Sequence, residues 1–136
     1  MPQIVAIDYG AKRTGIAATD DMQIIASGVT TVATGGLISF LKEYASLHKI
    51  EAFVVGEPKR LHGEASDIET EIKLFIEKLK EVFPKLIIHR IDERFTSKMA
   101  FETMLKSGIS KKKRRDKALV DKISATLILQ DFLNYR

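Results

Sequence analysis

Four acidic residues stand where carboxylates can do more than meet water. Asp8 closes an apolar run, Asp92 and Glu93 follow another, and Asp121 lies within an apolar helical stretch. Carboxylates drawn together repel one another and are poorly solvated, and a divalent cation relieves both penalties. An oxygen-only donor set favours Mg²⁺ or Mn²⁺. Such a centre suits phosphodiester hydrolysis, one ion preparing the attacking water and a second stabilising the leaving oxygen. Each residue also has a plainer reading: Asp8 as a turn residue ahead of Gly10, Glu93 as a surface partner of Arg94, Asp121 as a helical partner of Lys117. Spacing alone leaves both readings open. Five consecutive cations, Lys111, Lys112, Lys113, Arg114 and Arg115, form either a phosphate-backbone contact or a solvated loop.

The elements that must position these acids follow from the apolar pattern. Residues 4–7 form a continuous apolar run, as in a strand buried on both faces. Residues 14–19 and 23–32 read as second and third strands, and the short connections imply an antiparallel meander. The period then changes. Leu37, Phe40, Leu41, Tyr44 and Leu47 recur at helical spacing, and residues 52–56 make a further buried strand. After a polar loop, a helix from Ser66 or Asp67 carries Ile68, Ile72, Phe75, Ile76 and Leu79 on one stripe and stops before Pro84. Residues 86–91 are the fifth strand. A helix capped by Thr96 or Ser97 ends at Gly108, and a last helix spans about 117–135. The order β-β-β-α-β-α-β-α-α predicts an α/β fold with a mixed five-stranded sheet, the later strands parallel to the first and helices on both faces. Ligands of open α/β sheets bind beyond the carboxyl ends of the strands. Asp8 and Glu93 are therefore expected at one edge, with small Ala125 letting the last helix bring Asp121 close.

Composition bounds the alternatives. A chain of 136 residues with 45% hydrophobic and 29% charged residues is expected to form one globular domain, residues 1–136. Cysteine is absent, which excludes disulfides, thiolate metal sites and cysteine nucleophiles. No apolar run approaches the roughly 20 residues of a membrane span. No basic and apolar leader opens the sequence, so a cytoplasmic protein is expected. The net charge of +4 is too small to name a polyanion partner by itself.

Four blocks resemble the YqgF/RuvX family, the Holliday-junction-resolvase-like branch of the ribonuclease H superfamily. They are Ala6-Ile7-Asp8-Tyr9-Gly10-Ala11-Lys12-Arg13-Thr14-Gly15-Ile16-Ala17, Val54-Val55-Gly56-Glu57-Pro58, Asp92-Glu93-Arg94-Phe95-Thr96-Ser97, and Val120-Asp121-Lys122-Ile123-Ser124-Ala125 with Ile128-Leu129-Gln130-Asp131-Phe132-Leu133. The resemblance implies a ribonuclease H-like fold and a metal-dependent nuclease using Mg²⁺ or Mn²⁺. Asp8, Glu93 and Asp121 would be its metal-binding and catalytic acids, with Asp92 a fourth candidate. Lys12, Arg13, Arg94 and the five cations at 111–115 would contact nucleic acid. The implied substrate is structured RNA at the 5′ end of pre-16S rRNA; the alternatives are a branched DNA junction, which a homodimer rather than a monomer would cut symmetrically, and a nucleic-acid-binding module without turnover. Two departures stand out: Glu57 and Lys59-Arg60-Leu61-His62 after Gly56, and Ser124 where the family pattern has alanine. Thr96 is expected to cap a helix, and His48, His62 and His89 to stay outside the chemistry. Tyr9 is expected to pack at the sheet end, and Gly10 and Gly15 to permit positive φ or close backbone approach.

Overall fold

The computed structural model describes residues 2–58, 68–92 and 116–135. Its five strands are β1 (Gln3–Asp8), β2 (Arg13–Thr19), β3 (Ala26–Ala33), β4 (Ile50–Glu57) and β5 (Ile87–Asp92), in the order β3-β2-β1-β4-β5. The first three pair antiparallel, and β4 and β5 run parallel to β1. The expected meander and parallel half are both present. Helices α1 (Leu37–Leu47), α2 (Glu69–Val82) and α3 (Lys117–Tyr135) cover the sheet. A 3₁₀ turn, Thr34–Gly36, leads into α1. The expected helix over 96–108, the start of α2 at 66 or 67, and the basic segment 111–115 lie outside the described residues.

Strand alternation divides the core in two. Val5, Ile7, Ile16, Phe53 and Val55 face α1 and α2, where Leu37, Leu41, Ile72 and Leu79 are fully enclosed. Ile4, Ala6, Ala17 and Val54 face α3, against Ala125, Ile128 and Leu129. The central strands are buried on both sides, which is why residues 4–7 read as an unbroken apolar run.

The third strand begins three residues later than its apolar pattern suggests. Asp20 is the reason. Its carboxylate accepts hydrogen bonds from the amides of Met22, Ile24 and Ile25, closing residues 20–25 into a turn. These bonds hold its carboxyl below the ordinary range. Gln23 takes φ 58° within the turn, and its side-chain amide donates to the Pro2 carbonyl and to Glu51.

Candidate active site

The parallel strands β1, β4 and β5 finish at the edge of the sheet where β2 begins. Asp8 is the last residue of β1, and its antiparallel partner is Gly15. Ile4 and Ala6 belong to the α3 side, so alternation assigns Asp8 to that side as well. Val55 pairs with Ile7, which sets Gly56 beside Asp8 on the opposite flank. The positions directly beside Asp8 on both neighbouring strands are thus glycines.

Helix α3 crosses this edge at its N-terminal end. Asp116 caps it, its Oδ1 accepting from the amides of Ala118 and Leu119 at 3.0 and 3.4 Å. The Thr31 hydroxyl donates to the Ala118 carbonyl and ties the first turn to β3. One turn on, the Asp121 backbone carbonyl lies directly against Gly15, where a methyl group would overlap it. The Lys122 stem packs in the same way on Gly28. Gly15 has no positive φ to explain its presence; close backbone approach does. One glycine therefore pairs with Asp8 and supports the Asp121 backbone, which sets residues 113 positions apart on adjoining elements at one edge of the sheet.

Asp121 does not pair with Lys117. Its Oδ2 accepts a hydrogen bond from Arg13 Nε at 3.0 Å. Arg13 shares the α3 side with Gly15 and Ala17, so Asp8, Arg13 and Asp121 converge at one edge. The loop between Asp8 and Arg13 is fixed from behind: Thr34 donates its hydroxyl to the Gly10 carbonyl at 2.6 Å and its amide to the Lys12 carbonyl at 3.0 Å. A side chain on Gly10 would strike the Arg13 carbonyl, so that glycine too serves close approach. Lys12 is exposed on this loop.

Strands β1 and β5 are near neighbours, with β4 between them. On β5, Ile88 belongs to the α2 side and His89 to the α3 side, where its ring lies 4.7 Å from Phe132. Alternation then sets Arg90 and Asp92 toward α2. His89 is a packed residue, as expected, and so is Tyr9, whose ring sits 5.2 Å from Phe75. Burial and the nearby Glu71 carboxylate raise the Tyr9 hydroxyl above its usual pKa. Glu93, Arg94, His62 and the cations at 111–115 lie outside the described residues. Among the described residues, no cluster of three or more His, Asp or Glu side chains forms. Asp8 and Asp121 supply two hard oxygen donors on one side of the sheet, and a cation from Arg13 already rests on one of them. That donor set fits Mg²⁺ or Mn²⁺.

An ion-pair network escaped the sequence reading. Arg90 donates from Nε to the Val55 carbonyl and from Nη2 to the Gly56 carbonyl, at 3.1 and 3.0 Å. Both terminal nitrogens also reach Glu69, at 2.7 and 3.3 Å. Glu57 lies 3.9 Å away. This cluster locks the carboxyl ends of β4 and β5 to the start of α2. Its signal was present: Glu69 shares the stripe of Ile72, Ile76 and Leu79, and a carboxylate there demands a buried cation.

Comparison with known proteins settles the family. The family model described as RuvX, Holliday junction resolvase, matches residues 2–135. The chain belongs to the RuvX family. A relative from Flavobacterium psychrophilum named "Putative pre-16S rRNA nuclease" is 58% identical over 98% of this chain and 97% of its own length. A relative of the same name from Porphyromonas gingivalis is 52% identical over 98% and 97%. T. thermophilus RuvC, solved in complex with a Holliday junction substrate, superposes with a TM-score of 0.55 at 15% identity, covering 94% of this chain and 92% of that one. The RuvX-family chain thus shares the RuvC fold, of ribonuclease H type, as its sequence led one to expect. No helix among the described residues is long and apolar enough to cross a membrane.

Proposed function

We propose that this RuvX-family chain is a cytoplasmic, metal-dependent endonuclease that hydrolyses phosphodiester bonds in structured RNA, at the 5′ end of pre-16S rRNA. The convergence of Asp8 and Asp121 about Gly15 carries the reading. The names of its relatives support the substrate. Asp8, Asp121 and Glu93 hold Mg²⁺ or Mn²⁺ in this account. Asp92, the last residue of β5, belongs by alternation to the α2 side, and the RuvX-family resemblance supplies Glu93 as the third ligand. The bound ions supply an activated water and charge stabilisation at the leaving oxygen. The protein supplies the rest. Thr34 fixes the loop that carries Lys12 and Arg13, so those cations meet the phosphates flanking the cut. Arg94 and the cations at 111–115 extend the contact along the backbone. The Arg90–Glu69 lock ties the carboxyl end of β5 to α2 and holds it in register.

The family model's description favours a second reading, cleavage of a four-way DNA junction. One experiment separates the two. A pre-16S rRNA fragment spanning the mature 5′ end and a synthetic four-way junction are incubated with Mg²⁺ or Mn²⁺ and either wild type or Asp8→Asn. Wild type cleaves the RNA, and the variant binds it equally but cuts it slower by about 100-fold or more. Cleavage confined to the junction selects the second reading. Binding without cleavage under either metal makes the chain a binding module.

A further inference from the structure

Two described arginines lie near the carboxyl ends of the parallel strands, Arg13 on the α3 side and Arg90 on the α2 side, and they are held differently. Arg90 uses all three nitrogens, on two carbonyls and a buried carboxylate, and its side chain is 24% exposed. Arg13 is 39% exposed and is held through Nε alone. Among the described residues its two terminal nitrogens have no hydrogen-bond partner. Yet its one partner is Asp121, whose backbone is pinned against Gly15. An arginine held at a single nitrogen keeps its planar fork open, and that fork is the geometry that grips a phosphate with two bonds.

We propose that Arg13 is a resident counter-cation that exchanges. Its guanidinium neutralises Asp121 until a divalent cation takes that oxygen, and the released fork then binds a substrate phosphate. The inference rests on Asp121 being a metal ligand, as in the proposed function. Electrostatics motivates the exchange. Asp121 lies on the same side of the sheet as Asp8, and Arg13 supplies the positive charge beside Asp121 in the metal-free protein. A divalent cation neutralises both acids together and leaves Arg13 without its partner. Its freed charge sits on the edge where the phosphate arrives. Metal loading and nucleic-acid grip become coupled, because the guanidinium charge neutralised by Asp121 becomes available to a phosphate when the cation takes that oxygen.

The test follows the Arg13 Nε–H resonance by ¹⁵N NMR during a Mg²⁺ titration of the wild-type protein. Arg13→Lys identifies the signal by its disappearance. The expected result is a saturable shift of Arg13 toward its position in Asp121→Asn, in step with the amides of residues 8 and 121. An independent readout is the salt dependence of RNA binding for wild type and Arg13→Gln. Their slopes coincide without Mg²⁺, and with Mg²⁺ the wild type is steeper by about 0.7 to 0.9 for the one added phosphate contact. Mn²⁺ binds Arg13→Gln about two- to fivefold tighter than wild type, the cost of displacing a half-exposed ion pair, whereas Lys12→Gln changes affinity less than about twofold. An Arg13 signal that stays still while residues 8 and 121 respond overturns the exchange and leaves the metal reading standing. Silence at residues 8 and 121 overturns both.

Discussion

The two faces of the sheet are built for different ends. Toward α1 and α2 the residues are large: Ile7, Ile16, Phe53, Leu37, Leu41, Ile72 and Leu79 enclose one another fully. Toward α3 small residues stand among the large ones: Ala6, Ala17 and Ala125 pack with Ile4, Val54, Ile128 and Leu129, and Gly15 and Gly28 lie where the helix meets β2 and β3. Large side chains hold a helix away from the backbone of a sheet. Small ones let it descend until main chain meets main chain. The first face therefore yields stability, at roughly 1.5–3 kcal/mol for each large side chain buried. The second yields close approach of helix to strand, and it is the face that carries Asp8 and Asp121. The lesson is that glycine and alanine in a strand pattern mark where a helix can come down onto the sheet.

Substitutions on the two faces should therefore fail in different ways. Phe53→Ala, on the large-residue face, should cost about 3–5 kcal/mol by urea unfolding, yet leave Mn²⁺ affinity unchanged in the folded fraction. A parallel loss of metal affinity would erase the distinction between the faces. Gly15→Ala should cost less stability, about 1–3 kcal/mol from the overlap with the Asp121 carbonyl, but weaken Mn²⁺ binding about tenfold or more by lifting α3. Wild-type metal affinity in that variant would mean that close approach is not what assembles the site. The smallest effect concerns Asp131, farther along α3. Burial raises its carboxyl pKa above the ordinary value. A raised folded-state pKa stabilises below the unfolded value and loses that contribution as pH rises through the folded one. At pH 7 the charged form is thus a cost, and Asp131→Asn should be more stable than wild type by up to about 0.5 kcal/mol. The gain should vanish below about pH 4. A variant less stable than wild type at pH 7 would show that α3 accepts this charge freely.

Much of this was legible beforehand because the signals were local. The run at residues 4–7, the stripe from Ile72 to Leu79 and the length of α3 each follow from one period or one composition rule. What stayed hidden needed two distant segments at once. The start of β3 depended on Asp20 gathering three amides, which an apolar pattern does not register. The Arg13–Asp121 pair joins residues 108 positions apart, where local helical spacing offers Lys117 instead. Ala125 does pack fully buried against the sheet, but the closest approach belongs to Gly15 and Gly28, whose role appears only once α3 lies over them. The Glu69–Arg90 lock is of the same kind: each charge looks misplaced on its own element until the other is beside it.

The central claim is that Asp8 and Asp121 share a divalent cation on the α3 side, while Asp92 stands on the other. Isothermal titration of Mn²⁺ into wild type, Asp8→Asn, Asp121→Asn and Asp92→Asn tests it most directly. The account predicts that affinity falls by about tenfold or more in the first two variants and holds near wild type in the third. Wild-type affinity in both Asp8→Asn and Asp121→Asn, or a loss confined to Asp92→Asn, would contradict it.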